Sequence, residues 1–365
     1  MFFRFRVNVF TTYYTTIVYL CNIGGKTLNI YDISKEAGVS IATVSRVLNG
    51  NTNVKAKTKK KVMDVIDKYG YTPNAFARGL GLNSMNSIGI ICADCSDIYL
   101  AKAVYYIEGN LRKGGYNTIL TCSGYELEGK KSALNLLLNR RVDAVIMVGS
   151  NFIYPDDKDN AYIREAAEHV PMFMLNADLD CPNVYCTMCD DFKAMQDTTL
   201  ALINSGIKDI LYFYNSTTYS SIKKLTGFHA AYNIKGLDIN KDLIVFCDNG
   251  SEDIDGAYKF LEDTCNKKKL KFDAIMTSVD ELAIAAVKFA KSKNLRIPED
   301  VSIIGYNNSL LALCTDPEIT SVDNQLEPLC NQLVKTCIGR LNGEEMPQKI
   351  IFSGELIKRG TTNLT

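Results

Sequence analysis

Apolar residues follow a helical spacing in the first part of the chain. Between residues 30 and 71 they recur three or four positions apart, which places them on one face of a helix. Two short helices are predicted, with these apolar positions: Ile33, Ala37, Val44, Val47 and Leu48. Gly38 separates the two patterns, and glycine ends a helix readily because it adopts positive φ at little cost. Ser40 is a suitable N-cap for the second helix, so the pattern predicts a helix-turn-helix.

A third amphipathic helix is predicted from Thr58 to Tyr69, after the stop signal Asn49-Gly50. Its inward face is expected to carry Val62, Val65, Ile66 and Tyr69. Its outward face is expected to carry Lys57, Lys59, Lys60 and Lys61. The whole segment therefore presents a basic surface beside the helix-turn-helix.

The rest of the chain alternates short apolar runs with helical patterns. Eight runs are predicted as strands: Ile88–Cys92, Thr118–Thr121, Ala144–Val148, Met172–Leu175, Ile210–Tyr214, Leu243–Phe246, Ala274–Thr277 and Ser302–Gly305. Near-continuous apolar runs of this length are typical of parallel strands buried on both faces. Their alternation with helices predicts a doubly wound α/β fold. Pro73 and the polar segment 83–87 mark the boundary that precedes it.

Charge is distributed unevenly, although the chain is neutral overall with 41 basic and 41 acidic residues. Residues 1–82 hold twelve Lys or Arg and four Asp or Glu, a net charge of +8, which leaves −8 for residues 83–365. A basic segment of this kind suits binding to nucleic-acid phosphates. The alternative is a solvated lysine face on an ordinary helix. The neighbouring capped pair of helices favours DNA binding.

The twelve cysteines raise the question of a metal site, because two pairs have Cys-x-x-Cys spacing: Cys92 with Cys95, and Cys186 with Cys189. Neither pair lies in a knuckle-like turn, and Cys92 ends an apolar run. We therefore expect reduced, partly buried cysteines and no metal. Many cysteines without a disulfide pattern also suit a reducing cytoplasm.

No catalytic constellation emerges from the residues. Gly24-Gly25-Lys26-Thr27 resembles the end of a phosphate-binding loop, but the full motif needs a glycine where Leu20 stands. The two histidines, His169 and His229, lie on separate helix patterns. The sequence therefore proposes neither an enzyme nor a cofactor.

The motifs together resemble one family. IYDISKEAGVSIATVSRVLNG and YTPNAFARGL are similar to the DNA-binding head and hinge of the LacI/GalR family of bacterial transcriptional regulators. Further segments follow in family order: IGIICADCSDIYL, VDAVIMVGSN, GFHAAY, SVDELAIAA, VSIIGYNNSLLA and PEITSVDNQ. The resemblance covers residues 28 to 360. It implies an all-α helix-turn-helix head with a hinge helix, then two lobes of doubly wound parallel sheet, similar to periplasmic binding proteins, with a ligand in the cleft between them.

The resemblance implies four segments. Residues 28–72 are expected to form the helix-turn-helix domain, 73–83 the hinge helix and linker, and 84–365 the effector-binding and dimerisation domain. Within the last, lobe 1 is expected at about 84–180 plus 320–345, and lobe 2 at about 181–319 plus 346–365. Residues 1–27 do not match, and we expect a disordered extension or a start codon assigned too far upstream. Peptides from residues 1–20 found in cells by mass spectrometry would contradict the second possibility.

DNA contacts are expected from both head and hinge. Ile41, Ala42 and Arg46 lie on the outward side of the second helix, and arginine is the side chain best suited to grip guanine in the major groove. The resemblance implies a wider set of DNA-binding residues: Thr27, Tyr31, Ser40, Ile41, Ala42, Thr43, Ser45, Arg46, Asn49, Lys57, Asn74, Ala77, Arg78 and Leu80. Leu80 matches the family leucine that wedges into the minor groove. The hinge helix is too short to be stable in isolation, so we expect it to order on DNA.

Effector contacts are expected at the carboxyl ends of the strands, where doubly wound sheets bind ligands. The candidate residues, at positions that match the family, are Asp94, Tyr99, Ser150, Asn176, Lys224, Asp280 and Asn307. Each alone could be a cap or turn residue. Together, carboxylates, amides and an aromatic ring suit a sugar or a sugar derivative. Lys224 stands where the family commonly has arginine, and Asn307-Asn308 where acidic residues are common, so the grip on the ligand is expected to differ.

Two functions remain open. The first is a cytoplasmic transcriptional regulator, expected to act as a repressor, that binds a pseudo-palindromic operator as a homodimer and responds to the effector. The second is a small-molecule binding protein without DNA function. Residues 30–80 favour the regulator, because an exported receptor has no use for a DNA-binding head. No membrane association is expected.

Overall fold

The computed structural model describes residues 29–48, 53–71, 84–247 and 253–364. It divides the chain into two compact units, Met1–Met85 and Asn86–Thr365, which we call the head and the body. The predicted extension 1–27 and the whole of the predicted hinge 73–83 lie outside the described residues. No described helix combines the length and apolar character needed to cross a membrane.

The head contains three helices in its described part: α1 (Ile30–Ala37), α2 (Ile41–Leu48) and α3 (Ala56–Tyr69). Gly38 ends α1 with φ of 61°, as its position predicted. Ser40 precedes α2, and its hydroxyl accepts a hydrogen bond from the Thr43 amide at 3.2 Å. Asn29 forms a reciprocal capping box with Asp32 at the start of α1, which the sequence analysis did not identify. The α1–α2 pair is therefore stabilised at both starts by local hydrogen bonds.

A small apolar core joins the three helices of the head. Its buried members are Ile33, Ala37, Val44, Val47, Val62 and Ile66. The prediction for Tyr69 was wrong, because its side chain is 43% exposed. The Tyr69 hydroxyl donates to Glu36 Oε1 at 2.9 Å, a bond that keeps the ring at the surface of the last turn. The predicted outward lysines, from Lys57 to Lys61, are exposed.

The first sheet of the body, which defines lobe 1, is fully parallel and has the order β11-β5-β4-β3-β1-β2. Its strands are β1 (Ser87–Cys92), β2 (Asn117–Cys122), β3 (Ala144–Val148), β4 (Met172–Leu175), β5 (Val184–Cys189) and β11 (Lys349–Phe352). Helices α4 (Ile98–Lys113) and α11 (Leu326–Leu341) cover one face. Helices α5 (Leu127–Asn139) and α6 (Ala161–Ala167) cover the other. Both faces are thus buried, as near-continuous apolar strands require.

The second sheet, which defines lobe 2, has the order β12-β10-β9-β8-β6-β7 and is parallel except for the β10–β12 pair. Its strands are β6 (Ile210–Tyr214), β7 (Ile244–Phe246), β8 (Ala274–Thr277), β9 (Ser302–Tyr306), β10 (Thr320–Asp323) and β12 (Glu355–Ile357). Helices α9 (Ile254–Lys268) and α10 (Asp280–Ser292) cover one face, and α7 (Asp191–Asn204) and α8 (Tyr219–Lys235) the other. The predicted doubly wound class is confirmed.

The structure differs from the predicted lobe boundaries. Strand β5, which was assigned to lobe 2, pairs with β4 in lobe 1. Strand β10 pairs with β9 in lobe 2, and β11 pairs with β5 in lobe 1, the reverse of the assignment. The chain therefore crosses between lobes after Cys189, after Asp323 and after Phe352 rather than near residues 181, 320 and 346. These strands are short or contain Thr, Ser and Cys, so their apolar signal was weak.

The three crossings meet around Gly354. A Cβ added there would lie 2.8 Å from Ala194 Cβ, 3.3 Å from Cys189 Sγ and 3.4 Å from Asp323 O. The Asp190 amide also donates to Phe352 O at 2.8 Å. A side chain at position 354 would therefore push the crossings apart, so glycine is required for this close approach.

Candidate DNA-binding surface and effector site

Helix α2 presents one face to the head core and the other to solvent. Val44 and Val47 are buried, whereas Ile41, Ala42 and Arg46 are exposed. Ser40 Oγ and Thr43 Oγ1 are 2.9 Å apart at the start of the helix, on the same exposed end. Two buried valines anchor α2 to the head, and its N-terminal end is exposed. This is the arrangement of a recognition helix that enters a major groove.

The surroundings of α2 extend this surface. Tyr31 on α1 is exposed, as is Lys57 on α3. Thr43 and Ser45 are half-buried on α2. Six residues of the predicted DNA-contact set lie outside the described residues: Thr27, Asn49, Asn74, Ala77, Arg78 and Leu80. Their roles stay predictions.

The candidate effector site lies at the carboxyl edges of the two body sheets. In lobe 1 the strand order reverses between β1 and β3, and in lobe 2 between β6 and β8. Such reversals create a crevice at the carboxyl ends of the strands, where ligands bind in this type of sheet. Tyr99, Ser150 and Asn176 follow strands of lobe 1, whereas Asp280 and Asn307 follow strands of lobe 2.

A hydrogen-bonded network connects three of the predicted residues through Asn324. The Asn324 side-chain amide donates to the Tyr99 hydroxyl at 2.9 Å and to Asn307 Oδ1 at 3.2 Å. Asn176 Nδ2 donates to the same Tyr99 hydroxyl at 2.5 Å. The Asn176 Oδ1 atom accepts from the Cys189 amide at 3.2 Å. Asn324 was not among the predicted residues, although it lies in the quoted segment PEITSVDNQ; only its position at a lobe crossing reveals its role.

A second contact bridges the lobes directly. Ser150 follows β3 in lobe 1, and its hydroxyl donates to Thr218 Oγ1 at 3.0 Å in the loop that precedes α8 of lobe 2. Tyr219 OH lies 3.4 Å from Asp178 Oδ2, again across the lobes. The two carboxyl edges therefore face one another at hydrogen-bonding distance.

Lys224 is buried within lobe 2 beside an aromatic ring. Its ammonium donates to Ser278 O at 3.0 Å and lies 3.7 Å from the centroid of Tyr306. Burial lowers the pKa of Lys224, and the nearby Asp191 carboxylate partly opposes this shift. Asp191 itself accepts from Tyr306 OH at 2.6 Å and from Ser220 Oγ at 2.5 Å. Asp191 and Tyr306 were not predicted, because their sequence positions look like a helix start and a strand end.

Asp280 is fully buried and has both carboxylate oxygens engaged. Oδ1 accepts from Ser321 Oγ and Oδ2 from the Ser309 amide, each at 2.6 Å. Burial raises the pKa of Asp280, while these two hydrogen bonds lower it. The carboxylate does not cap α10, the alternative role considered above. Instead it joins the chain segments that follow β8 and β9 to β10.

Asp94 and Asn308, the two remaining residues noted in the sequence, are engaged in hydrogen bonds with nearby side chains and backbone. Asp94 accepts from the Ser96 amide and hydroxyl, both at 2.8 Å, which lowers its pKa. In the described part of the chain, no hydrogen bond joins Asp94 to the other predicted residues. Asn308 donates to Asp323 Oδ2 at 3.0 Å and accepts from Arg359 at 2.6 Å. A carboxylate at position 308 would repel Asp323, so an amide is needed to bridge the two partners.

Buried polar atoms without a hydrogen-bond partner cluster near these edges. Within the described residues, four of the seven such atoms follow strands of the two lobes: Asn151 Nδ2, Ser278 Oγ, Ser309 Oγ and Asn324 Oδ1. A buried polar atom without a partner costs about 1–3 kcal/mol, so such atoms are expected where another group completes the site.

Comparison with protein-family models decides the classification. The model described as "Periplasmic binding proteins and sugar binding domain of LacI family" matches residues 85–363, and that described as "Bacterial regulatory proteins, lacI family" matches residues 29–74. The chain belongs to the LacI family. It is a DNA-binding transcriptional regulator with a body of the sugar-binding type, which confirms the resemblance read from the sequence.

Individual LacI-family relatives cover nearly the whole chain. An HTH-type transcriptional regulator of Lachnoclostridium phytofermentans is 53% identical and covers 92% of this chain and 100% of that protein. Catabolite control protein A of Priestia megaterium is 31% identical and covers 89% of this chain and 96% of that protein. Both are regulators rather than enzymes. The solved structure of the lac repressor dimer bound to operator and the anti-inducer ONPF is 22% identical, with a TM-score of 0.81, and covers 92% of this chain and 99% of that one, so the fold is shared.

Proposed function

We propose that this LacI-family regulator represses transcription by binding a pseudo-palindromic operator as a homodimer, and that a sugar or sugar derivative between the lobes of its body controls that binding. Recognition would use Ile41, Ala42 and Arg46 on α2. A twofold-symmetric dimer supplies two copies of α2, as two half-sites require. Because the operator would lie on the chromosome, the regulator is proposed to act in the cytoplasm.

The observation that carries the effector proposal is the network around Tyr99. The ring offers an apolar surface, and Asn176 and Asn324 offer amides beside it. Asn324 Oδ1 and Ser278 Oγ are buried without partners. A polyhydroxylated ligand supplies both donors and acceptors, so it complements a site that has unpartnered atoms of mixed character.

Similar proteins support the same class of ligand. A structure of the transcriptional regulator CelR, 22% identical with a TM-score of 0.66, is described as a cellobiose complex and covers 92% of this chain and all of that one. The lac repressor relative is described as bound to an operator. We propose that the present chain binds a ligand and an operator of the same classes.

The test has two stages and uses the full-length chain. Selection from random DNA duplexes yields the operator, and gel-shift titration measures its affinity. Monosaccharides, disaccharides and their phosphate esters are then screened by thermal shift, since a ligand of the native state raises the melting temperature. The expected result is one sugar class that changes both melting temperature and operator affinity.

A matched pair of variants links this response to the network. Tyr99→Phe removes the hydroxyl that accepts from Asn176 and Asn324, and should weaken sugar binding by about tenfold without changing operator affinity in the absence of sugar. Tyr105→Phe alters an exposed tyrosine on α4 and should behave as wild type. Failure to select any duplex would instead favour a small-molecule binding protein without DNA function, and light scattering near the mass of four chains would contradict the dimer.

A further inference from the structure

Three cysteines of lobe 1 converge at the carboxyl edge of its sheet. Cys92 ends β1 and Cys122 ends β2, and the two are paired in the register of these parallel strands. Cys95 lies in the turn that follows β1. The Sγ atoms are 2.8 Å apart for Cys95 and Cys122, 3.4 Å for Cys92 and Cys95, and 3.9 Å for Cys92 and Cys122. Within the described part of the chain, this is the one group of potential metal ligands of this size.

We propose that Cys92, Cys95 and Cys122 bind one thiophilic metal ion, of which Zn²⁺ is the representative, through three thiolates. From the sequence, no metal was expected at Cys92 and Cys95, because the pair does not lie in a knuckle-like turn and Cys92 ends an apolar run. The third ligand comes from the neighbouring strand, 27 residues further along the chain from Cys95. The proposal is independent of the sugar and operator assignments above.

The separations approach those that such an ion requires. Three thiolates bound tetrahedrally at about 2.3 Å from one ion lie about 3.8 Å from each other. Cys92 and Cys122, at 3.9 Å, meet this separation, and Cys92 and Cys95, at 3.4 Å, come near it. Cys95 and Cys122, at 2.8 Å, must move apart by about 1 Å when the ion binds, which their exposed side chains allow. A fourth position would stay open on the outer side, as in zinc sites with three protein ligands and a water.

The supporting framework is rigid. Two ligands sit at strand ends held by the β1–β2 ladder. Beyond the strands, the Ser123 amide donates to Cys92 O at 2.9 Å and the Gly124 amide donates to Ala93 O at 3.0 Å, which joins the two loops. Cys92 is buried, whereas Cys95 and Cys122 are exposed, so an ion has a path from solvent. A site built on strand ends holds its ligands more firmly than one on loops.

Metal binding requires the three thiols to lose their protons. Burial raises the pKa of the Cys92 thiol, and the hydrogen bond between Cys95 and Cys122 raises that of Cys95, so both thiols are protonated near neutral pH without a cation. Binding breaks three S–H bonds, forms three metal–sulfur bonds and releases three protons to the buffer. No oxidant is involved. Affinity should therefore rise with pH.

The second Cys-x-x-Cys pair provides a contrast. Cys186 and Cys189 lie three residues apart on β5 and so point to opposite faces, with Cys186 in one apolar core and Cys189 in the other. Equal spacing therefore does not create a chelating pair in a strand. A turn after Cys92 brings Cys95 back to it, and the parallel neighbour adds Cys122.

The experiment uses the full-length chain, reduced with a phosphine and kept under nitrogen. Native mass spectrometry after addition of one to three equivalents of Zn²⁺ should show one bound ion per chain. Titration with Co²⁺ should give the thiolate-to-metal absorption band of a sulfur-ligated site. Cys95→Ser and Cys122→Ser should each weaken Zn²⁺ binding by at least about tenfold, because each removes one of three ligands. The exposed Cys314→Ser should bind as wild type.

Either of two results would contradict the metal site. Unchanged Zn²⁺ binding in both Cys95→Ser and Cys122→Ser, with folding confirmed by circular dichroism, would overturn the site. So would the absence of a bound ion in the reduced wild type. If the reduced chain binds no ion but mild peroxide links Cys95 to Cys122, the cluster is a dithiol pair and the metal proposal is wrong.

Discussion

The head and the body use their functional residues in opposite ways. In the head, a core of six buried residues supports an α2 face on which Ile41, Ala42 and Arg46 are exposed. In the body, Asp280 and Asn176 are buried, and Tyr99 bonds to Asn324 from 225 residues away. Exposed residues of the head that are expected to contact DNA can therefore be substituted without destabilising its fold. In the body, the residues of the proposed ligand site also hold the lobes together.

The largest effect should come from Asp280→Ala, which separates a structural role from a ligand role. The variant leaves the Ser309 amide and the Ser321 hydroxyl without their buried acceptor, so the free energy of unfolding should fall by about 2–4 kcal/mol. Urea denaturation measures this loss. We also expect the variant to lose its effector response and to keep its operator affinity.

Asp280→Asn provides the matched control. The amide keeps one acceptor for the Ser309 N–H, so the loss of stability should be smaller. A variant Asp280→Ala with wild-type stability and no effector response would make Asp280 a ligand contact alone, and a variant with an unchanged effector response would remove it from the site.

Arg46→Ala should show the reverse profile in the head. Arg46 is exposed on the outer face of α2, so its loss should cost roughly 1–3 kcal/mol of binding to the selected operator and leave the unfolding transition unchanged. Gel-shift titration on operator and on random duplex measures the difference. Lys60→Ala, on α3, should instead weaken both duplexes equally. An equal loss on both duplexes for Arg46→Ala would assign it to phosphate contact.

Lys130 makes the stability of the body depend on pH between about 8 and 10. Its ammonium is buried, donates to Asn151 O at 2.5 Å and to Tyr154 OH at 2.6 Å, and burial lowers its pKa to about 8. Because the folded pKa lies below the unfolded value, the folded state carries a penalty below pH 8 that is relieved as the pH rises from 8 to 10. Relative to Lys130→Met, the wild type should gain roughly 1–3 kcal/mol over this range.

The control for this prediction is the exposed Lys113→Met, for which the difference from wild type should not vary between pH 8 and 10. Urea denaturation at each pH provides the comparison. A flat difference for Lys130→Met as well would show that the buried ammonium is solvated well enough to keep an ordinary pKa.

The smallest effect is expected at the surface of the head. Glu36 accepts from Tyr69 OH at 2.9 Å and from Lys68 Nζ at 3.3 Å, bonds that lower its pKa. All three groups are exposed, and exposed ion pairs contribute little to stability. The melting temperature of Glu36→Gln should thus lie within about 1 °C of wild type in differential scanning calorimetry. A drop of several degrees would mean that the small head core depends on this surface cluster.

Local information in the sequence determined much of this protein. Helix ends at Gly38 and Ser40 depend on residues three or four positions away, so they could be predicted without the fold. The eight apolar runs became strands because burial on both faces requires continuous apolar side chains. The motifs of α2 and the hinge were sufficient to predict the family and the class of function.

Only the tertiary structure decided which distant residues meet. Strands β5, β10, β11 and β12 lack a strong apolar signal and are defined by their neighbours in the sheets. Asn324 joins Tyr99 because a lobe crossing places it there, and Cys122 joins Cys92 because parallel pairing aligns two strand ends. Local spacing encodes which side of a helix or strand is buried. It does not encode the register and strand order of a sheet, which depend on contacts between segments far apart in the chain.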